Sequence, residues 1–319
     1  MSVILVRNAS GAPAGCVQGG GSVVFNNPAD NFNWRQFGNY VVQMDNWGPM
    51  PGSIRQWVND QTCWGVTNVS RHTEQGSVAC YPSVVRGWNG NGDVMTSLST
   101  GGGSDWTTKS GMGIQLSALT KCKIKWGIQK VPTTPVVTRW DALCDVYLHT
   151  TATPSFSVFP PKVDISIFQM VMDANYYGPT YASEHGAKVT IGGVQYAVIV
   201  DESDGFNNFN SAGGHYILML CRPTSATDGL ASNSLWGQNL LTHDMAAILT
   251  YWQQSNPLDD SGQPVKNGAT GVNITSPLFD SSLFLTAVNA GFELDFSQTT
   301  SDSWVTNQFA VAMQGEPDP

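Results

Sequence analysis

Basic side chains are scarce in this chain. Fifteen Lys and Arg stand against 24 Asp and Glu, a formal net charge of −9, and no stretch gathers the cations into a patch. Phosphate recognition needs clustered Lys and Arg, so nucleic acid and anionic membrane are excluded as partners. Charged residues of both signs make up only 12% of the chain, about half the share of an average soluble protein. The six cysteines, Cys16, Cys63, Cys80, Cys122, Cys144 and Cys221, contain no Cys-x-x-Cys spacing, and the five His are scattered. No metal centre and no cofactor are therefore expected. Neither Gly-x-Ser-x-Gly nor His-Glu-x-x-His occurs, which removes the common serine and zinc hydrolases. The apolar run in the opening MSVILVRNAS is too short for a signal peptide or a membrane span. The expectation is an extracellular protein whose leader is not part of this chain.

What is present is turn chemistry and alternation. Gly-rich and Asn-rich clusters such as NGNGD and TGGGSD punctuate segments whose apolar residues recur at every second position, the pattern of short strands joined by turns. A chain of 319 residues is read as one all-β domain spanning 1–319, with a loop-rich N-terminal segment at 1–37 and a loop insertion at 256–277. KVTIGGVQYAVIV, Lys188 to Val200, reads as a hairpin turning at Gly192-Gly193. One helix is expected, Thr242 to Ser255, where Met245, Ile248, Leu249 and Trp252 fall at helical spacing behind a capping Thr242, with Asp244 suited to the positive end of the helix dipole.

Two strands carry the chemistry. In DISIFQMVMDANYYGP, Asp164 to Pro179, alternation puts Ile165, Ile167, Gln169, Val171 and Asp173 on one face and Ser166, Phe168, Met170 and Met172 on the other. The surface shared by Gln169 and Asp173 is either a satisfied core network or the floor of a cleft. In LTAVNAGFELDF, Leu285 to Phe296, Asn289, Gly291, Glu293 and Asp295 share a face opposite Val288, Phe292 and Leu294. Two such strands on one sheet could set Gln169 and Glu293 across a bound sugar chain, the layout of glycoside hydrolysis except that one carboxyl is an amide.

These segments resemble glycoside hydrolase family 12. The first is similar to the family's Glu-x-Met-x-Trp strand, with Gln169, Val171 and Asp173 in that frame and Gly178-Pro179 closing it. GFE at Gly291 to Glu293 is similar to the acid/base strand. YVVQMDNWG (Tyr40 to Gly48), YPS (Tyr81 to Ser83) and DALCDVYL (Asp141 to Leu148) resemble three further family segments, in family order.

The resemblance implies a β-jelly-roll sandwich of two curved antiparallel sheets, a concave substrate cleft and one helix on the convex side. It implies a retaining hydrolase of β-1,4-linked glucan (cellulose, mixed-linkage glucan or xyloglucan), monomeric, with a disulfide between Cys16 and Cys63. Gln169 then holds the nucleophile position, Glu293 is the acid/base and Asp145 supports the nucleophile. Asp45, Trp47, Asp141, Asp173 and Asn289 contact substrate. A neutral amide cannot attack an anomeric carbon. The chain is accordingly expected to be an inactive Glu-to-Gln form of such an enzyme, whether the change is engineered or natural. The alternative is a glycan-binding jelly roll without catalysis.

Overall fold

The computed structural model describes residues 15–25, 32–46, 54–69, 80–88, 97–98, 105–130, 138–155, 163–172, 186–201, 216–221, 240–267, 271–296 and 300–319. The alternating segments form two large sheets. One has six strands, in the order β1 (Val23–Phe25), β4 (Arg55–Val58), β5 (Trp64–Val69), β16 (Thr300–Met313), β8 (Cys122–Lys130) and β14 (Leu240–Asp244). The other has ten, in the order β11 (Ala187–Ile191), β12 (Val194–Asp201), β13 (Tyr216–Cys221), β10 (Val163–Met172), β9 (Thr138–His149), β15 (Phe284–Phe296), β6 (Ser83–Gly87), β3 (Tyr40–Gln43) and β2 (Trp34–Phe37), with the short β7 (Ile114–Gln115) added to β15. Neighbours are antiparallel except β10 and β13, which run parallel.

The side-chain period of two divides the larger sheet into two faces. Val42, Val84, Val288, Ala290, Phe292, Cys144, Val146, Ile165, Ile167, Leu218 and Leu220 point inward and join the main core. The smaller sheet contributes Trp64, Trp126, Trp304 and Phe309 from the opposite side, and Phe292 packs edge-on to Trp64 at 5.6 Å between ring centroids. Removing one such buried aromatic costs about 3–5 kcal/mol. The other face of the large sheet carries Gln43, Ser83, Asn289, Asp145 and Ser166, and it is this outer face that positions the functional groups. One end of it is covered by a second apolar cluster of Val41, Val85, Trp88, Trp106, Tyr147 and Ala287, to which the short helix α1 (Trp106–Lys109) supplies Trp106.

The expected helix is shorter than its sequence pattern. Leu240 to Asp244 pairs with β8 as strand β14, and the helix α2 runs only from Met245 to Trp252. Thr242 is therefore a strand residue. Asp244 makes the cap, its Oδ1 accepting from Ala247 N at 3.0 Å, because the cross-strand ladder claims the backbone up to that point. Met245, Ile248, Leu249 and Trp252 are buried as the spacing requires, and α2 packs against β8 and β11. The β11–β12 hairpin turns at Gly192 and Gly193, both at positive φ (59° and 82°), a backbone state that glycine enters without a Cβ penalty.

Cys16 and Cys63 are joined, as expected, with Cα atoms 5.5 Å apart, and Cys80, Cys122, Cys144 and Cys221 are free and buried. Among the described residues no helix is long and apolar enough to cross a membrane.

Candidate active site

Strand register assembles the site on the outer face. Glu293 on β15 lies directly opposite Asp141 on β9, and Asn289 lies opposite Asp145. Across the next seam Asp145 faces Ser166 of β10, and Tyr147 faces Asp164. Directly opposed residues hold their Cβ atoms about 5 Å apart, so three adjacent strands bring Asp141, Asp145, Asp164 and Glu293 onto one surface. Ser166 Oγ donates to Asp145 Oδ1 at 3.0 Å. Tyr81 crosses β15 above Gly291, whose absent Cβ would otherwise sit 2.5 Å from Pro82 O and 2.8 Å from Tyr81 Cε2. That close approach is why the Gly of the GFE triplet is needed. The Tyr81 hydroxyl lies 3.1 Å from the Leu143 carbonyl oxygen and also serves as a hydrogen-bond donor to Asp145.

These acids do not titrate like exposed ones. Burial pushes the Asp145 carboxyl up to about 7, against the lowering effect of its Ser166 and Tyr81 donors. Burial first, then the negative charges of Glu293 and Asp145, and a hydrogen bond to Glu293, hold Asp141 well above the carboxylate range. Asp164 is also raised well above it by burial, with Asp145 and Glu293 adding repulsion. Like charges in a desolvated cluster cannot all ionise, so protons are shared across the group near neutral pH. Asp164 Oδ1 is buried and has no hydrogen-bond partner among the described residues.

The expected nucleophile position lies elsewhere. Gln169 is fully buried and reaches across to the smaller sheet, where its Nε2 donates to the Trp126 carbonyl oxygen at 3.0 Å. It follows Ile165 and Ile167 into the interior, and the register between β10 and β9 shifts between Phe168 and Met170, a β-bulge around Gln169. Gln169 therefore does not face Glu293, and its amide gives no ground for expecting inactivity. The acidic residue of β10 on the outer face is Asp164, which alternation places opposite in sense to Gln169.

Asp45 sits at the far side of the same surface. It accepts from Gln43 Nε2 at 3.2 Å while its carbonyl accepts from Tyr81 N at 2.8 Å. Its φ of 43° is a left-handed state uncommon for residues other than glycine, and burial raises its carboxyl to about 7. Asn289 is buried, its Oδ1 without a hydrogen-bond partner among the described residues. Trp47 and Asp173 lie outside the described residues. Sequence reasoning missed Asp164 and Tyr81 as site residues. The signal for Asp164 was present, since Asp164 and Ser166 are the polar members of a strand whose other set begins Ile165, Ile167. Among the described residues no group of three or more His, Cys, Asp or Glu is placed to hold a metal ion.

No family model matches the chain, and no curated protein matches it by sequence. Solved structures do. A native family 12 xyloglucanase from Bacillus licheniformis superposes with a TM-score of 0.59 at 17% identity, over 92% of this chain and 100% of its own. An endo-1,4-β-glucanase described as a cellulase gives 0.57 at 18% identity, over 91% of this chain and 99% of its own. The xyloglucanase domain of NopAA, a type three effector from Sinorhizobium fredii, in complex with cellobiose, gives 0.53 at 16% identity, over 89% and 96%. At such identities the likeness establishes the fold, the two-sheet jelly roll of the family 12 glycoside hydrolases.

Proposed function

From this shared fold we propose that the chain is an active member of glycoside hydrolase family 12 that cleaves β-1,4-linked glucan, with the outer-face carboxylates as its catalytic groups. The observation that carries the reading is the cluster of Asp141, Asp145, Asp164 and Glu293 on one surface. Glu293, opposite Asp141, and Asp164, opposite Tyr147, stand on the two strands flanking β9, Asp164 senses the Glu293 charge, and Asp164 keeps a carboxylate oxygen with no hydrogen-bond partner among the described residues. A buried polar atom left unsatisfied in the free protein is the kind of group a substrate completes.

In this reading Glu293 protonates the departing glycosidic oxygen. Its hydrogen-bonded neighbour Asp141, held protonated by burial and by the surrounding negative charge, keeps a proton within the pair near neutral pH. Asp164, its proton taken up within the shared cluster, attacks the anomeric carbon as the carboxylate, and water then releases the covalent sugar with Glu293 acting as base, the retaining sequence. Asp145, held by Ser166 and Tyr81, orients Asp164. Asp45 and Asn289 contact sugar hydroxyls, and Trp47 and Asp173 extend the binding surface. The Cys16–Cys63 disulfide supports an oxidising, extracellular location.

Proton NMR of the first sugar released from a soluble β-1,4-glucan tests this. A β-anomer appearing first is the expected result. An α-anomer first would make the enzyme inverting, with Asp164 as general base, and a folded protein releasing no sugar from cellulose, mixed-linkage glucan or xyloglucan would overturn the reading.

A further inference from the structure

The smaller sheet is incomplete on one side. β5 pairs with β16 only as far as Thr306, while β16 continues along β8 to Met313, so the later half of β16 has no strand on its β5 side. Side chains take the place of that strand. Tyr40 Oη accepts from Val311 N at 3.1 Å and donates to the Val311 carbonyl oxygen at 3.3 Å, and Arg86 donates to the same oxygen. Met313 N donates to Glu316 Oε2 at 2.9 Å. The space left beside this edge is a surface groove of about 670 Å³, within the range of about 300–1,000 Å³ usual for ligand sites.

The groove is preformed. Ala310 and Ala312 line it from β16, Phe37 and Asn39 from the β2–β3 turn, and Gln61 from the β4–β5 turn, and residues 316–319 make the remaining wall. Residues outside any helix or strand are ordinarily mobile. Here Glu316 is held by Arg86 at 2.7 and 2.8 Å, Asp318 by Lys121 at 2.6 Å and Lys123 at 2.7 Å, and the Pro319 carbonyl by Lys125 at 3.3 Å. Those pairings also narrow the choice of ligand. Arg86, Lys121 and Lys123 already have carboxylate partners, so an anion meets no unpaired cation there. The Val311 backbone donor and acceptor and the Met313 N–H are occupied, which denies an added peptide strand its ladder. Asn39, exposed, and Gln61, half-buried, make no hydrogen bond among the described residues. Each amide both donates and accepts, and they stand beside the Phe37 ring and the alanine methyls. Hydroxyls alternating with apolar C–H faces, the chemistry of a neutral sugar chain, match that lining.

We propose that this groove is a second binding site for a neutral glucan chain, separate from the catalytic face. The inference rests on the reading of the protein as a glucan hydrolase given above. Tyr40 and Arg86 alternate along their strands with Val41 and Val85, which belong to the cluster on the outer face, so the larger sheet itself lies between the groove and the carboxyls. A polymer held there is anchored without contact with the cleaved bond. Anchoring raises the concentration of further chain segments around the cleft, a gain that a long substrate experiences and a short one does not.

The test is a titration of the isotope-labelled Glu293→Gln chain with cellohexaose, followed through the backbone amide NMR signals. Signals of Gly38, Asn39, Gln61 and Ala312 should move with an affinity of their own, distinct from that of Asn289 and Gly291 in the cleft. Adding Asn39→Ala and Gln61→Ala together removes two hydrogen bonds and should weaken the groove affinity about tenfold while the cleft signals titrate as before. Ala310→Leu, which fills the groove, should weaken it likewise. With Glu293 present, the Asn39→Ala, Gln61→Ala chain should match the parent in kcat and KM on a short soluble oligosaccharide and hydrolyse insoluble cellulose more slowly at low loading. Cleft signals that move while the groove signals stay still, or groove shifts unaltered in both groove variants, overturn this inference alone. A folded parent chain that releases no sugar from any glucan overturns the reading beneath it.

Discussion

Substituting Gln169→Glu sets the two readings of β10 against each other. Were Gln169 a disabled nucleophile, the change would create activity; in the observed fold it places a carboxyl in the interior, against the Trp126 carbonyl oxygen. Protonated, that carboxyl can donate to Trp126 much as the amide does, so near pH 4.5 the variant should be close to the parent. Ionised, it is an uncompensated buried charge. A free Glu titrates near 4.3, and a fully buried one is driven up by as much as four units. Because the folded-state pKa is raised, the penalty is absent below about pH 4.3 and grows as pH rises, until the folded carboxyl itself ionises. At pH 7 the gap of nearly three units corresponds to about 4 kcal/mol, a large part of the stability of an ordinary domain. Urea unfolding followed by tryptophan fluorescence at pH 4.5 and pH 7 measures this directly. A variant as stable as the parent at pH 7, and more active on glucan, would refute the placement of Gln169.

Other substitutions probe the supports of the site. Gly291→Ala forces a Cβ to within 2.5 Å of Pro82 O and Ser83 Cβ, which predicts a loss of about 1–3 kcal/mol and a larger loss of activity as Tyr81 is displaced; unchanged denaturation and kinetics would contradict the close packing. Arg86 is 2% exposed and held through two hydrogen bonds by Glu316, itself 38% exposed, so Glu316→Gln should cost about 1–2 kcal/mol after allowance for solvent screening. The Glu316 carboxyl is lowered from 4.5 to about 2, and a depressed folded-state pKa means this contribution is present above about pH 4.5 and fades as pH falls towards 2. Thermal unfolding of parent and variant at pH 7 and pH 2 should converge at the lower value, and an equal gap at both would count against the pairing. The Cys16–Cys63 bond spans 47 residues, for which the loss of chain entropy in the unfolded state amounts to about 4 kcal/mol. Cys63→Ser should accordingly lower the urea midpoint markedly, and a midpoint equal to the parent's would show the unfolded chain gains nothing from release.

Much of the architecture was legible because its signal is local. Period-two alternation in residues 285–296 and 164–172 predicted β15 and β10, the Gly192-Gly193 pair predicted its hairpin, and the spacing of Met245, Ile248, Leu249 and Trp252 predicted the buried face of α2. The errors arose where a non-local partner decides. Thr242 was misread as a cap because nothing in THDM reveals that β8 will pair with it. On β10, alternation correctly separated Gln169 from Ser166, yet alternation alone does not say which set faces the other sheet. Ile165 and Ile167 carry the burial that decides the matter, and they draw Gln169 inward with them, past a bulge the sequence does not announce. Asp141, Asp145 and Glu293 were found on sequence grounds and do share a face, whereas Asp164 was overlooked as the first residue of its segment.

The most direct test of the account is hydrolysis by the chain as it stands. Purified protein incubated with cellulose, mixed-linkage glucan and xyloglucan should release reducing sugar from at least one of them, and the release should vanish in Asp164→Asn and in Glu293→Gln while both variants remain folded. A folded parent chain that releases none from any of the three, or an Asp164→Asn variant that hydrolyses at the parental rate, would contradict it.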